Sequence, residues 1–293
     1  MRVHGLIPAA LALLLAGCGG KDPPPGPPED QTLARHERAG QLAYSLERPA
    51  EAVAQYRSAL KQAEARDDID AIGDLSFNLV VALLRANQPE AALVTARRAS
   101  AELTRRGGAS FPALDLAEAT ALYRTGAAAQ ADALAAVIED SGDAGAAFSA
   151  SFLRGLIADD ADDAAGLTTA LQRMSPPNGP AQQADLAELQ ARVARRGGDF
   201  AQARSSAMQA ADLRRTSLDY RGMARSLALA ADAAQQSGDA PAAADLYLRA
   251  GRSAAAQNDP DTARAWLRQA MKLTQDAAIV DTAQAVLDSL DEP

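Results

Sequence analysis

The chain has 293 residues, a formal net charge of −9, 48% hydrophobic residues and only 4% aromatics. So acidic a chain is a poor match for nucleic acid and for direct adsorption on anionic lipid, both of which reward clustered cations. Alanine fills roughly a quarter of it and β-branched residues are sparse, a composition that predicts an almost wholly helical protein whose thin side chains let helices approach closely.

Met1-Arg2-Val3-His4 opens the chain, and an apolar run follows from Leu6 to Ala16, closed by Leu15-Ala16-Gly17-Cys18. The run is about ten residues, the length of a signal h-region and short of the ~20 that span a bilayer. Pro8 inside it also disfavours a spanning helix. Cys18 is the only cysteine in the chain. The arrangement resembles a bacterial lipoprotein signal peptide with its lipobox; an ordinary secretory signal and a buried N-terminal helix are the rival readings. The resemblance implies removal of residues 1–17 and lipidation of Cys18 with diacylglycerol bearing fatty acyl chains such as palmitate. Gly19 stands where an Asp would mark inner-membrane retention. It therefore points to the periplasmic face of the outer membrane, with inner-membrane or cell-surface anchoring as alternatives. Processing would remove Arg2 and take the net charge from −9 to −10. It would leave His36 as the sole imidazole and no thiol for a disulfide, a thiolate metal site or a nucleophile.

Residues 18–31 read as a lipidated tether. Between Gly19 and Asp30, five residues are proline and three are glycine. Proline lacks the N–H and fixes φ, so an extended spacer is expected. At about 3.1 Å per residue it reaches up to roughly 35 Å.

From residue 32 onward a small–xxx–large-or-small–xx–small pattern recurs. Its copies are Ala52-Tyr56-Ala59, Ala92-Ala96-Ala99, Ala131-Ala135-Ile138, Ala203-Ala207-Ala210 and Ala243-Tyr247-Ala250, at intervals of 40, 39, 72 and 40 residues. Spacings of four and three put each trio on one helix stripe. The long interval predicts a blurred copy near Ala164 or Ala165. Pro49, Pro89 and Pro260 stand at helix starts, where a missing N–H has no intrahelical partner anyway. Gly198-Asp199 and Gly238-Asp239 pair a helix-ending glycine with a capping aspartate. The predicted helices run over 32–46, 49–66, 70–86, 89–106, 112–125, 128–140, 146–158, 162–173, 181–196, 200–216, 221–237 and 240–257, with two closing helices at 260–275 and 277–290. Ala263-Leu267-Ala270 repeats the trio in the first of these, so the helix at 240–257 serves two neighbouring pairs.

Gly40, Ala52, Tyr56 and Ala59, and again Gly251, Ala263 and Ala270, carry a resemblance to the tetratricopeptide repeat family. It covers nearly all of residues 32–290. It implies an all-α fold, a right-handed α-solenoid of helix-turn-helix repeats. The period near 40 exceeds the family's usual 34, and the first-helix aromatics are mostly Ala or Leu here. A related helical-hairpin solenoid stays open as the rival. Ser175-Pro176-Pro177-Asn178-Gly179-Pro180 interrupts the pattern. The expected organisation is therefore a 1–17 signal peptide, an 18–31 tether, a 32–174 N-terminal array, a 175–180 break and a 181–293 C-terminal array.

No catalytic motif, cofactor site or metal-ligand spacing appears. Asp159-Asp160-Ala161-Asp162-Asp163 lacks the central Gly and distal Glu of a calcium loop and reads as a solvated, helix-capping turn. Arg105-Arg106-Gly107-Gly108 and Arg195-Arg196-Gly197-Gly198 read as basic helix ends closed by glycine. In the family the first helices line a concave face that holds a partner peptide or helix. The resemblance places Tyr44, Phe77, Tyr123, Arg154, Arg192, Arg195 and Arg225 there as partner-binding candidates. The leading expectation is a lipid-anchored, periplasmic outer-membrane adaptor or scaffold with an unidentified protein partner. The alternative is a helical-solenoid cell-wall enzyme or ligand-binding lipoprotein using Glu139 or Glu188. An open groove without a buried glutamate would favour the adaptor.

Overall fold

The structure, a computed structural model, describes residues 30–107 and 111–291. The signal segment, Cys18 and most of the tether lie outside the described residues. Among those described, fourteen helices and no strand occur. They are α1 (Gln31–Ser45), α2 (Pro49–Ala65), α3 (Ile69–Arg85), α4 (Pro89–Arg105), α5 (Pro112–Arg124), α6 (Ala128–Glu139) and α7 (Ala144–Asp160). There follow α8 (Ala164–Arg173), α9 (Pro180–Arg196), α10 (Phe200–Thr216), α11 (Tyr220–Gln236), α12 (Ala240–Ala256), α13 (Pro260–Leu273) and α14 (Ala277–Ser289). Every end falls within two residues of its expected place.

Local chemistry explains the punctuation. Asp68, Asp143, Asp163, Asp199, Asp219 and Asp239 are N-caps whose carboxylates accept backbone N–H bonds from the first turn. Prolines 49, 89, 112, 180 and 260 occupy first-turn positions. The anchor trios are all buried, from Ala52-Tyr56-Ala59 to Ala263-Leu267-Ala270. The blurred copy is a correction: it is not centred on Ala164 or Ala165, both exposed, but is formed by Asp163, Leu167 and Ala170. Helix α8 is only ten residues long, so the first anchor position falls on its N-cap and an aspartate replaces the alanine.

Each helix packs on its neighbour in sequence, and contacts also recur between alternate helices: α3 with α5, α5 with α7, α7 with α9, and α9 with α11. In a curved two-layer array, alternate helices meet only on the inner side, so the odd-numbered helices form the inner layer. At the C-terminal end the alternate contact passes to α12 and α14. Across the Pro176–Pro180 loop, α9 touches both α7 and α8. There Gly155 lets the fully buried Leu189 close on α7; a Cβ at 155 would stand 2.5 and 2.7 Å from the Leu189 methyls. We expect Gly155→Val to lower stability by about 1–3 kcal/mol through overpacking. A urea midpoint equal to wild type would contradict that close approach.

A second device ties successive pairs together. Glu47, Asp67, Asn87 and Asp162 end helices in the left-handed region, with φ between 55° and 58°, where short polar side chains are best tolerated after glycine. Each receives an arginine from near the end of a helix in the next pair. The bonds are Arg85 to Glu47, Arg106 to Asp67, Arg124 to Asn87 at 2.8 Å, and Arg196 to Asp162.

Candidate functional site

The inner layer carries the densest polar chemistry of the described residues. On α7, Asp159 is 3% exposed. Its carboxylate accepts from Arg192 Nη1 at 2.7 Å, Arg195 Nη2 at 3.0 Å and Arg196 Nε at 2.6 Å. This corrects the expectation of a solvated acidic turn: Asp163 caps α8 as expected, but Asp159 faces inward, where α9 presents three arginines. Burial alone would raise the Asp159 carboxyl, and the Arg196 and Arg192 bonds outweigh it and hold it below its ordinary value.

Glu188, one turn before Arg192 on α9, is equally buried. It accepts from Arg192 Nη2 at 2.8 Å and from Arg214 of α10. Arg214 is itself 3% exposed. It also donates to Asp185 at 2.8 Å, to Ser226 Oγ at 3.0 Å and to the Gly222 carbonyl at 3.2 Å. Gly222 makes this route possible, because a Cβ there would lie 2.6 Å from Arg214 Cδ. One chain of charges thus runs Asp159–Arg192–Glu188–Arg214–Asp185 through α7, α9 and α10. It crosses the proline-rich break.

The partner-binding candidates fall into three places. Tyr123, Arg192 and Arg195 gather at this chain. The Tyr123 hydroxyl donates to Asp160, and burial followed by that bond pushes its phenol upward. Arg225, on α11, is exposed beside the chain and makes no hydrogen bond or ion pair among the described residues. Arg154 is elsewhere, committed to Asp132 and Glu139, both at 2.7 Å. Tyr44 lies under the Arg85 guanidinium, 5.3 Å from its ring centre. Phe77 packs edge-on against Phe111 at 6.0 Å, on the margin of the N-terminal core.

The groove therefore does contain buried glutamates, but both are clamped. Glu139 is bound by Arg154, Arg173 at 2.8 Å and Ser151 at 2.7 Å. A carboxylate pinned between guanidiniums stays ionised and has no proton to donate as a general acid. No group of three or more His, Cys, Asp or Glu residues suited to a metal ion occurs among the described residues. No described helix is long and apolar enough to cross a membrane.

Sequence reasoning missed Arg214, Asp185 and the role of Asp159. The available signal was the Asp185, Glu188 and Arg192 spacing, which puts two acids and a base on the stripe of α9 that also holds Ala184, Ala187 and Ala191.

The tetratricopeptide repeat family model matches residues 244–276. That segment starts in α12 and ends after α13, so the matched repeat takes α12 as its first helix. This agrees with the passage of inner contacts to α12 and α14, and with the double use of residues 240–257. A tetratricopeptide repeat protein from Parabacteroides merdae is similar over 90% of this chain and 100% of its own, at 13% identity and a TM-score of 0.49. The Cut9–Hcn1 hetero-tetramer of the APC/C is similar over 89% of this chain and 52% of that chain, at 14% identity and a TM-score of 0.48. The TPR2AB domain of yeast Sti1, in a complex labelled pHSP90, is similar over 88% of this chain and 96% of its own, at 16% identity and a TM-score of 0.36. No curated protein matches the sequence. The protein is an α-solenoid with tetratricopeptide-like repeats, modules that commonly mediate protein–protein interaction.

Proposed function

We propose that the chain is a lipid-anchored adaptor, held by Cys18 at the periplasmic face of the outer membrane, that docks a protein partner on its inner helical layer. The observation that supports docking is the inner layer itself, a continuous face from α3 to α11 that presents tyrosines and arginines. Such side chains are enriched where proteins bind one another. The anchor rests on Leu15-Ala16-Gly17-Cys18 and on the proline-rich spacer that follows.

Two experiments test the two halves. Cys18→Ala should move the protein out of the membrane fraction and abolish its partition into detergent. Unchanged partitioning would sink the anchor. For docking, a photo-crosslinking residue is placed at Gln41 or Arg225 on inner helices, or at Val94 or Val137 on outer ones, all four being exposed. Adducts with one defined protein are expected from the inner positions in intact cells. Equal adducts from the outer positions, or none at all, would reject the inner-face reading.

A further inference from the structure

The curvature of the array brings its two ends together. Arg85 on α3 lies 3.7 Å from Asp219, between α10 and α11. At this seam is a cleft of about 770 Å³, lined by Asn87 and Arg85 from one arm and by Tyr220, Arg221 and Gln257 from the other.

The charges at the seam are unevenly matched. The inter-repeat bonds of Arg85, Arg106 and Arg196 end on carboxylates, whereas that of Arg124 ends on the Asn87 amide and the Leu84 carbonyl. Arg221 donates only to the Gln257 carbonyl, at 2.9 Å, and its buried Nε has no acceptor. Arg225, one turn further along α11, has no hydrogen-bonded partner at all. The acids of the cleft are already engaged: Glu47 with Arg85, Glu51 with Arg48, Asp261 with Arg264, and Asp259 as the N-cap of α13. Burial, then the proximity of Arg225 and Arg221, holds the Arg124 guanidinium below its ordinary value. Three guanidiniums from opposite arms therefore repel one another with no carboxylate bonded to any of them.

We propose that Arg124, Arg221 and Arg225 form a binding site for a small multivalent oxyanion of the phosphate class, which bridges α5 and α11 and holds the array closed. Guanidiniums suit such a ligand because they present planar, paired N–H donors to its oxygens. An anion seated between the arms would also relieve their mutual repulsion, so binding and closure reinforce each other. The proposal stands independently of any protein partner.

The test is calorimetric titration of the full-length protein with inorganic phosphate and with pyrophosphate, at ionic strength matched with chloride, alongside thermal melting. Saturable binding and a rise in melting temperature are expected, with pyrophosphate stronger. Arg225→Gln removes no bond of the fold, and it should weaken binding by about tenfold or more through loss of a charge-assisted contact. Arg124→Gln, on the opposite arm, should weaken it comparably. Arg215→Gln, outside the seam, should leave it unchanged. Absence of saturable binding to wild type, or wild-type affinity in either seam variant, would overturn the proposal.

Discussion

Glu188→Gln should destabilise the protein by about 3–5 kcal/mol, the cost of breaking one partner out of a buried ion pair. Glu188 and Arg214 are 2% and 3% exposed, so water cannot replace what the substitution removes. Arg192 would lose its 2.8 Å bond to the same carboxylate, and a glutamine amide would turn N–H groups toward guanidinium N–H groups. Burial pushes the Glu188 carboxyl up, yet Arg214 and Arg192 pull it down to about 2. That net downward shift fixes the pH dependence. The Glu188 contribution is fully present above about pH 4.5, its ordinary value, and is lost as the pH falls toward 2. Urea denaturation at pH 7 measures the loss, and hydrogen exchange should show it concentrated in α9, α10 and α11. Replacing both partners, Glu188→Leu with Arg214→Met, should cost less than either single change, because no buried charge is then left alone. Single-variant losses below about 1 kcal/mol would mean that the pair is solvated in solution, in the range of exposed ion pairs.

Much of the fold was legible because alanine, proline, glycine and aspartate act locally. Ala92-Ala96-Ala99 announces a packed stripe by spacing alone, and Pro89 announces the helix start before it. The third and fourth pairs blurred because α6 and α8 are short, at 12 and 10 residues, and α8 puts its first anchor on the Asp163 cap. The site was less legible, for a physical reason. Asp159 sits among four aspartates that look alike in sequence, and only its inward direction, set by the pitch of α7 against α9, separates it from them. Arg214 and Arg215 are likewise adjacent, but one is buried against Glu188 and the other pairs with Asp212 at the surface. The seam depends on curvature summed over the whole array, because Arg85 and Asp219 are 134 positions apart and no repeat spacing encodes their meeting.

Asp185 should give the protein a stability that falls as the pH rises from about 4 to 6. Its carboxyl is raised from 3.8 to about 6. Burial is the main cause, and Glu188 and Asp219 add repulsion. This happens although Arg214 donates to it at 2.8 Å. The Arg214 charge is already neutralised by Glu188, so it gives Asp185 a hydrogen bond with less than the full electrostatic help of an isolated guanidinium. A raised carboxyl binds its proton more tightly folded than unfolded. Between the two values the folded state holds more protons, and each pH step upward favours unfolding. The expected fall is about 2–3 kcal/mol, from the two-unit displacement at roughly 1.4 kcal/mol per unit. Asp185→Asn keeps an acceptor for Arg214 and removes the titration. It should flatten the profile between pH 4 and 6, and should leave the variant more stable than wild type at pH 8. The Glu188→Gln variant supplies an internal check: with the neighbouring charge gone, Arg214 has only Asp185 to pair with strongly, so the Asp185 carboxyl should drop. NMR titration of that carboxyl in both proteins measures the coupling. An identical Asp185 titration in the two would show that the carboxylates do not share one guanidinium.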